Sequence, residues 1–336
     1  MQNTLQLDEN EAWELVFDAL QKHQTSTENA KEVADALICA EIDGQSGHGL
    51  SRVPSYIQQL SSGKVDGNAK PTIVGSNGAV IRIDAKNGFA YPALSLAIKE
   101  LVSCSKKYGI AVASISHSHH FGQAGRHVER LAESELIGLM FGNTPKAIPP
   151  WGGSKALYGT NPIAFSVPRS KTPPLVIDLS LSKVARGKVM MANQKNERIP
   201  QGWAIDEQGN PTSDAKKALA GAMLPIGDAK GSALALMIEI LSAALTGSNF
   251  GFEASSFFDS EGDSPGVGQL IIAIDPSFFS GDVFSERVET IVSAILDQPS
   301  TRLPGNKRLE KRKWREKTKK IAISQELYDE VTKLTK

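Results

Sequence analysis

The segment Ser46-Gly47-His48-Gly49-Leu50-Ser51-Arg52 sets an imidazole and a guanidinium four residues apart. An imidazole titrates near neutrality and can deliver a proton. A guanidinium stays charged and grips a carboxylate through two parallel hydrogen bonds. Together they offer what reduction of a 2-oxo or 2-imino acid requires, a proton donor beside a carboxylate-binding fork. The competing reading makes both residues the capped, solvated start of a helix. Upstream, Ala30, Val33, Ala34, Leu37 and Ile38 recur at helical spacing, and Gly44 suits the left-handed end of that helix. The spacing then puts His48 and Arg52 on a glycine-flanked turn and the start of a new helix, where residues four apart share a face.

Anion-binding turns are the next candidates. No strand is followed by G-x-G-x-x-G opening a helix, and no Walker-A lysine motif is present. Gly266-Val267-Gly268 precedes a strand and fails that test. Four other turns can offer backbone N–H groups to a phosphate: His120-Phe121-Gly122-Gln123-Ala124-Gly125, Gly159-Thr160-Asn161-Pro162, Gly227-Asp228-Ala229-Lys230-Gly231 and Arg302-Leu303-Pro304-Gly305. Glycine turns are also ordinary punctuation. The cluster His117-Ser118-His119-His120 can be read as metal ligands sharing a strand face, or as a polar loop with one functional histidine. The absence of a nearby carboxylate or cysteine at ligand spacing favours the loop and no metal. Lys307 to Lys320 holds nine Lys or Arg and two Glu. That run reads either as a nucleic-acid arm or, with Trp314 and its interspersed glutamates, as a helix lying on the protein.

Bulk properties narrow the class. The 336 residues are 40% hydrophobic and carry 37 basic and 37 acidic side chains, which argues against a nucleic-acid-binding body. Cys39 and Cys104 provide neither a disulfide framework nor a thiolate metal cluster. No signal peptide is visible, and Glu239 interrupts the longest apolar stretch. The expectation is a cytoplasmic protein with no membrane partner.

Helices are expected over 8–43 (two, the first with a capping box of Asp8 and Glu11), 52–61, 92–107, 122–135, 183–192, 230–245 and 284–296. Strands are expected at 73–74, 79–84, 110–116, 137–142, 162–167, 175–179 and 269–274, the first two joined at Asn77-Gly78. Interleaved helices and strands give an α/β or α+β class.

The motifs HGLSRVPSY, VDGNAKP, SHSHHFG, YGTNPIAFSVP, VIDLSLSKVARGK, LPIGDAKGSALALMIEILSAALTG, GQLIIAI and RLPGNKR occur in this order. Through them the chain, from about residue 10 to 330, resembles the type-2 malate/lactate dehydrogenase superfamily, which includes sulfolactate, ureidoglycolate and diketogulonate oxidoreductases. Within it the similarity points to the Δ1-piperideine-2-carboxylate/Δ1-pyrroline-2-carboxylate reductases.

The resemblance implies a non-Rossmann NAD(P)-binding fold: a mixed, largely antiparallel sheet plus a helical domain formed from both chain ends. It divides the chain into a helical 1–70, a sheet-containing NAD(P)-binding 71–225, and a helical 226–260 packing with the N-terminal part. A strand and helix, 261–300, then return to the sheet, before a basic C-terminal arm, 301–336. The resemblance makes His48 the proton donor, Arg52 the carboxylate ligand and Thr160 a substrate contact. It assigns the cofactor to His120, Phe121, Gly122, Gln123 and Ala124; to Asp178, Leu179 and Ser180; to Ala229 and Lys230; and to Arg302, Leu303, Pro304, Gly305, Asn306, Lys307 and Arg308. It further implies a homodimer using NADPH, with NADH an alternative. In the cyclic-imine reductases a serine precedes the histidine and an aspartate follows a later A-x-G, completing a relay; here those positions are Gly47 and Lys188. Reduction of Δ1-pyrroline-2-carboxylate or Δ1-piperideine-2-carboxylate is thus the first expectation. A 2-hydroxy acid dehydrogenase acting on malate, lactate or sulfolactate is the alternative. A non-catalytic dinucleotide- or nucleic-acid-binding protein is the remaining class.

Overall fold

The computed structural model describes residues 4–336. Its framework is a seven-stranded sheet in the order Thr72–Asn77, Val80–Asp84, Ile110–Ser118, Val267–Ile274, Ile137–Gly142, Ile163–Val167, Leu175–Leu179. One neighbouring pair, Val80–Asp84 with Ile110–Ser118, is parallel; the others are antiparallel. A Rossmann sheet would be parallel throughout. The central strand VGQLIIAI lies between two neighbours, which explains its nearly continuous apolar run. Helices Ala90–Tyr108 and Ala124–Ala132 cover one face through Leu94, Leu101, Val128 and Leu131, all fully buried. Each such leucine contributes about 1.5–3 kcal/mol by leaving water.

The helical layer is built from both chain ends, as expected. Strand Thr4–Asp8 pairs with Lys320–Ser324. Helices Glu9–Lys22, Thr27–Ile42 and Gln325–Leu334 pack behind this ribbon around Val16, Leu20, Leu37 and Val331. The Asp8/Glu11 capping box forms, and the stripe from Ala30 to Ile38 is the buried face of its helix. Gly44, at φ +69°, ends that helix.

Several expectations need correcting. Residues 301–336 are not an arm. They form helix Asn306–Thr318, the ribbon strand Lys320–Ser324 and a docked terminal helix. Helix Ala229–Glu239 packs against the sheet, with Ala235 and Ile238 on Phe141 and Leu270, rather than against the N-terminal helices. It ends at Glu239 and widens into a π-helical turn over Ile240–Ala244 instead of running on to 245. The 122–135 helix shortens to Ala124–Ala132. A small three-stranded sheet of Ala204–Ile205, Pro211–Thr212 and Ala222–Met223, with helix Ala215–Ala220, was not anticipated. No helix among the described residues is long and apolar enough to cross a membrane.

The basic helix is fastened by a buried ion cluster. Arg308 Nη2 and Arg312 Nη2 donate to Glu129 at 2.8 and 2.9 Å, and Arg312 Nε donates to Asp43 at 2.8 Å. Burial alone would raise the Glu129 pKa, but the two guanidiniums hold it at about 2. This stabilisation is complete above the unfolded carboxyl pKa of about 4.3 and disappears as pH falls through the folded value. Glu129→Gln should therefore cost about 3 kcal/mol at pH 7. It should also flatten the loss of stability between about pH 4.3 and 2 in urea titrations. An unchanged acid limb would show that the cluster does not fasten the helix.

Candidate active site

His48 closes the first of two 3₁₀ turns, Ser46–His48 and Leu50–Arg52, and the α-helix starts only at Val53. The two residues therefore do not share an α-helical face; Gly49 breaks the path between them. What holds the turns is Glu41, 3% exposed. Its Oε1 accepts from the Leu50 N–H and its Oε2 from the Ser46 hydroxyl, both at 2.9 Å. Burial raises the Glu41 pKa, and these two hydrogen bonds oppose the rise. A Cβ on Gly49 would collide with the carboxylate, so the close approach requires glycine. Ser46, next to the Gly47 that stands where the resemblance to cyclic-imine reductases implies a serine, is thus committed to Glu41. Lys188 is exposed on helix Arg186–Gln194.

Arg52 Nε donates to Gly47 O at 2.7 Å, and its Cζ sits 4.5 Å from the centroid of the Phe258 ring. Its Nη1 is buried with no partner. An unpaired buried donor costs about 1–3 kcal/mol, more when charged, so this edge is prepared for an anion.

His48 leads into a hydrogen-bonded chain. His48 Nδ1 and His120 Nε2 are 3.2 Å apart, His120 Nδ1 and Tyr56 Oη 2.6 Å, and Tyr56 Oη and Tyr91 Oη 3.1 Å. The His48 and His120 rings stack at 5.3 Å. Burial, then the Arg52 charge, push the His48 imidazole down to about 3. The same two causes, with His48 and His119, hold His120 well below its usual value. The other cluster histidines diverge. His117, at φ +49°, turns outward to Asp84 at 3.0 Å. His119 turns inward to Gln59 Oε1 at 2.7 Å. They therefore share no strand face, and no group of three His, Cys, Asp or Glu among the described residues is set to hold a metal.

Thr160 lies on a turn fixed from three sides. Its N–H donates to Thr144 Oγ1 at 2.9 Å, the two hydroxyls are 3.2 Å apart, and its carbonyl accepts from Leu181 N–H. Buried Glu239 anchors the turn. Its Oε1 accepts from Gly159 N–H and Asn161 Nδ2, and its Oε2 from Gly251 N–H. The loop beginning at Gly251 then reaches the histidines: Phe257 packs on His119 and His120 at 5.2 and 5.4 Å, and Phe258 covers Arg52. This loop connects the two halves of the site. Sequence reasoning missed it, along with Tyr56, Tyr91, Glu41 and Lys64. The only available signal was two adjacent phenylalanines in a Ser/Asp/Gly-rich stretch. Buried Lys64 clamps the loop by donating to Asp259 O and Glu261 O.

The expected cofactor segments converge. Gly125 N–H donates to Asp178 Oδ2 at 2.7 Å, so a carboxylate already occupies part of that helix start. Phe121, Gly122, Gln123 and Ala124 are buried, Gly122 against the Tyr91 ring, and His120 belongs to the chain described above. Leu179 is 39% exposed and Ser180 Oγ bonds Ser182 Oγ. Ile226 N–H donates to Leu181 O, bringing the exposed Ala229-Lys230 start alongside, after Asp228 at φ +56°. Asp43, Gly44, Gln45, Arg302, Gly305, Lys307, Arg308 and Lys311 line a cavity of about 260 Å³. Arg308 is held by Asp43 and Glu129, while Leu303 is core. Arg302, Lys307 and Lys311 remain as exposed cations, while Pro304 and Asn306 do not line the cavity. The exposed cations of this cavity suit a single phosphate group.

Comparison with known proteins agrees with this geometry. The family model described as malate/L-lactate dehydrogenase matches residues 7–332. The chain is 49% identical over 323 residues to the (2R)-3-sulfolactate dehydrogenase (NADP(+)) of Chromohalobacter salexigens, covering 96% of this chain and 95% of that one. It is 40% identical over 287 residues to a Δ1-pyrroline-2-carboxylate/Δ1-piperideine-2-carboxylate reductase of Pseudomonas syringae pv. tomato, covering 85% and 84%. The crystal structure of Δ1-piperideine-2-carboxylate reductase from that organism superposes with a TM-score of 0.93 at 37% identity over 98% of this chain and 99% of the other. Sulfolactate dehydrogenase of Methanocaldococcus jannaschii gives 0.90 at 32% identity, covering 98% and 96%. The chain therefore belongs to the malate/L-lactate dehydrogenase family of NAD(P)-dependent oxidoreductases.

Proposed function

We propose that the protein interconverts a 2-oxo carboxylate and its 2-hydroxy acid, with a substrate carrying a second acidic group, as sulfolactate does. The observation that carries this reading is the unpaired, buried Nη1 of Arg52 beside His48. Arg52 takes the substrate carboxylate bidentately. His48 Nε2, the ring nitrogen not committed to His120, delivers the proton to the C2 oxygen, and Thr160 contacts the substrate. A reduced nicotinamide held by the Asp178–Ser180 and Ala229–Lys230 segments would supply the hydride to C2. Phe258 covers the Arg52 guanidinium, and Phe257 packs on His119 and His120. Arg186, whose Nη1 donates to Lys146 O at 3.4 Å, puts another cation beside the segment that carries Thr144, the hydrogen-bond partner of Thr160. It suits a sulfonate or second carboxylate. Similarity to the sulfolactate dehydrogenase supports the same class.

The cyclic 2-imino carboxylate is the second reading, supported by the close superposition on the piperideine-2-carboxylate reductase. Gly47 and Lys188 count against it, because no side chain here rebuilds that branch's relay serine and aspartate. A substrate panel followed at the nicotinamide absorbance separates the two. Sulfopyruvate or oxaloacetate should be reduced faster than pyruvate or either cyclic imine, and Arg186→Ala should erase that advantage. Faster turnover of the imines would overturn the first reading.

His48→Ala should lower kcat by roughly 100-fold or more. Arg52→Ala should raise the substrate KM roughly 10- to 100-fold while leaving the dinucleotide Kd unchanged, and Arg52→Lys should restore only part. An unchanged KM would remove Arg52 from the pocket.

For the cofactor we propose NADPH, with Arg302, Lys307 and Lys311 meeting the extra phosphate. Lys311→Ala should weaken NADPH roughly 5- to 10-fold and NADH little, since one screened phosphate contact is worth about 1 kcal/mol. Equal effects on both would place the phosphate elsewhere. We also infer a homodimer. Leu236, Ile240 and Leu245 are 45, 51 and 62% exposed along one helical segment, an apolar face suited to a second copy. Sedimentation should give twice the 36.0 kDa chain mass, and Ile240→Glu should give the monomer; a monomeric wild type would refute the assembly.

A further inference from the structure

We propose that His120, Tyr56 and Tyr91 form a neutral positioning chain that fixes the tautomer of His48, taking the orienting role that a carboxylate plays in other histidine-dependent sites. The inference rests on His48 being the proton donor, as proposed above, and deepens that reading.

The geometry is continuous. Three contacts of 3.2, 2.6 and 3.1 Å link His48 Nδ1 to Tyr91 Oη through His120 and Tyr56. Tyr56 and Tyr91 are 0 and 3% exposed and His120 is 5% exposed, so water cannot supply alternative partners cheaply. Phe257 and Phe89 close the sides of the chain, packing on His120 and Tyr56 respectively. The charged groups acting on this region are Arg52 and, near His119, Lys64; both disfavour a second cation, and His120 stays neutral. Among the described residues, no carboxylate contacts the chain.

Two polarities can run through these contacts, and only one leaves Nε2 of neutral His48 bare, as proton return from the product hydroxyl requires. His48 Nδ1–H donates to His120 Nε2, His120 Nδ1–H donates to Tyr56 Oη, and the Tyr56 hydroxyl donates to Tyr91 Oη. In reduction, the His48 imidazolium passes its Nε2 proton to the substrate oxygen and keeps its Nδ1 proton. The product is the neutral Nδ1–H tautomer, whose bare Nε2 accepts the hydroxyl proton in the reverse direction. One N–H bond breaks, one O–H bond forms, and no proton along the chain moves. Nothing in it becomes a phenolate, consistent with burial raising the Tyr56 pKa to about 12. Because the orienter is neutral, it does not raise the basicity of His48. A substrate carboxylate at Arg52 offsets the guanidinium charge and so favours loading of the proton, against the burial that is the larger cause of the low His48 value.

The test is the tautomer itself, read without turnover. Long-range ¹H–¹⁵N spectra of ¹⁵N-histidine-labelled protein contain signals from only six histidines. Loss in His48→Ala assigns the signal. The expected result is His48 protonated at Nδ1; protonation at Nε2 in the free protein overturns the proposal. Tyr56→Phe removes the acceptor for His120 and should give a mixture of His48 tautomers with kcat reduced roughly 10- to 100-fold and substrate KM unchanged. Tyr91→Phe leaves the His120–Tyr56 bond in place and should reduce kcat less, which keeps the test informative if Tyr56→Phe folds poorly. The double variant His48→Ala/Tyr56→Phe should be no slower than His48→Ala alone, because Tyr56 acts through His48. Additive losses, or a Tyr56→Phe protein with wild-type tautomer and kcat, would refute the chain. If His48→Ala itself retained full activity, the fault would lie with the assignment of the proton donor instead.

Discussion

A single buried carboxylate, Glu41, holds the catalytic turn. It accepts from a backbone N–H and a hydroxyl on either side of His48. Charge-assisted bonds to a carboxylate are shorter and stronger than neutral ones, and each also satisfies a donor that burial would leave orphaned. The dependence runs outward from there. Gly49 must lack a side chain, Leu50 can enter the helical core, and Arg52 is delivered to the rim with its Nη1 unpaired. The imidazole then meets His120, which comes from the end of a sheet strand rather than from the helical layer. The reaction centre is therefore a seam between the two halves of the fold.

Glu239 does the equivalent work on the far side. Its carboxylate gathers the Gly159–Asn161 turn and Gly251, and so fixes both Thr160 and the start of the loop that carries Phe257 and Phe258. It sits where the α-helix gives way to a π-turn, a distortion often found at functional positions. Lys64 fastens the far end of that loop. Two carboxylates and one ammonium, all buried and all hydrogen-bonded to backbone, position groups that themselves remain available to ligands.

The helices and strands with strong local patterning were legible in the sequence. The Asp8/Glu11 capping box, the Asn77-Gly78 hairpin and the Ala30–Ile38 stripe all form as expected. The ribbon of Thr4–Asp8 and Lys320–Ser324 was missed because its partners are over 300 residues apart and each strand is only five residues long. Of the two readings of the basic run, the helix lying on the protein is the one that forms; its acidic partners, Asp43 and Glu129, lie far away in sequence and gave no local signal. In the site, His48 and Arg52 were visible as a spaced pair. Tyr56 and Tyr91 carried no local signal, since a buried tyrosine in a helix reads as core until its hydroxyl is seen to have a partner. The same holds for Glu41, which reads as a helix-end acid until the chain folds back over it.

The central claim is that Arg52 and His48 act as one unit, with the substrate carboxylate neutralising the guanidinium and allowing the imidazole to take up a proton. A pKa that rises from about 3 on binding captures a proton at any pH lying between the free and bound values. Calorimetric titration of a 2-oxo acid into the enzyme saturated with oxidised dinucleotide, which cannot turn over, measures this directly when repeated in buffers of different ionisation enthalpy. The account predicts proton uptake by the wild type that grows as pH falls from 7 towards the free value, and none for His48→Ala. Binding without proton uptake, or equal uptake by the variant, would contradict it.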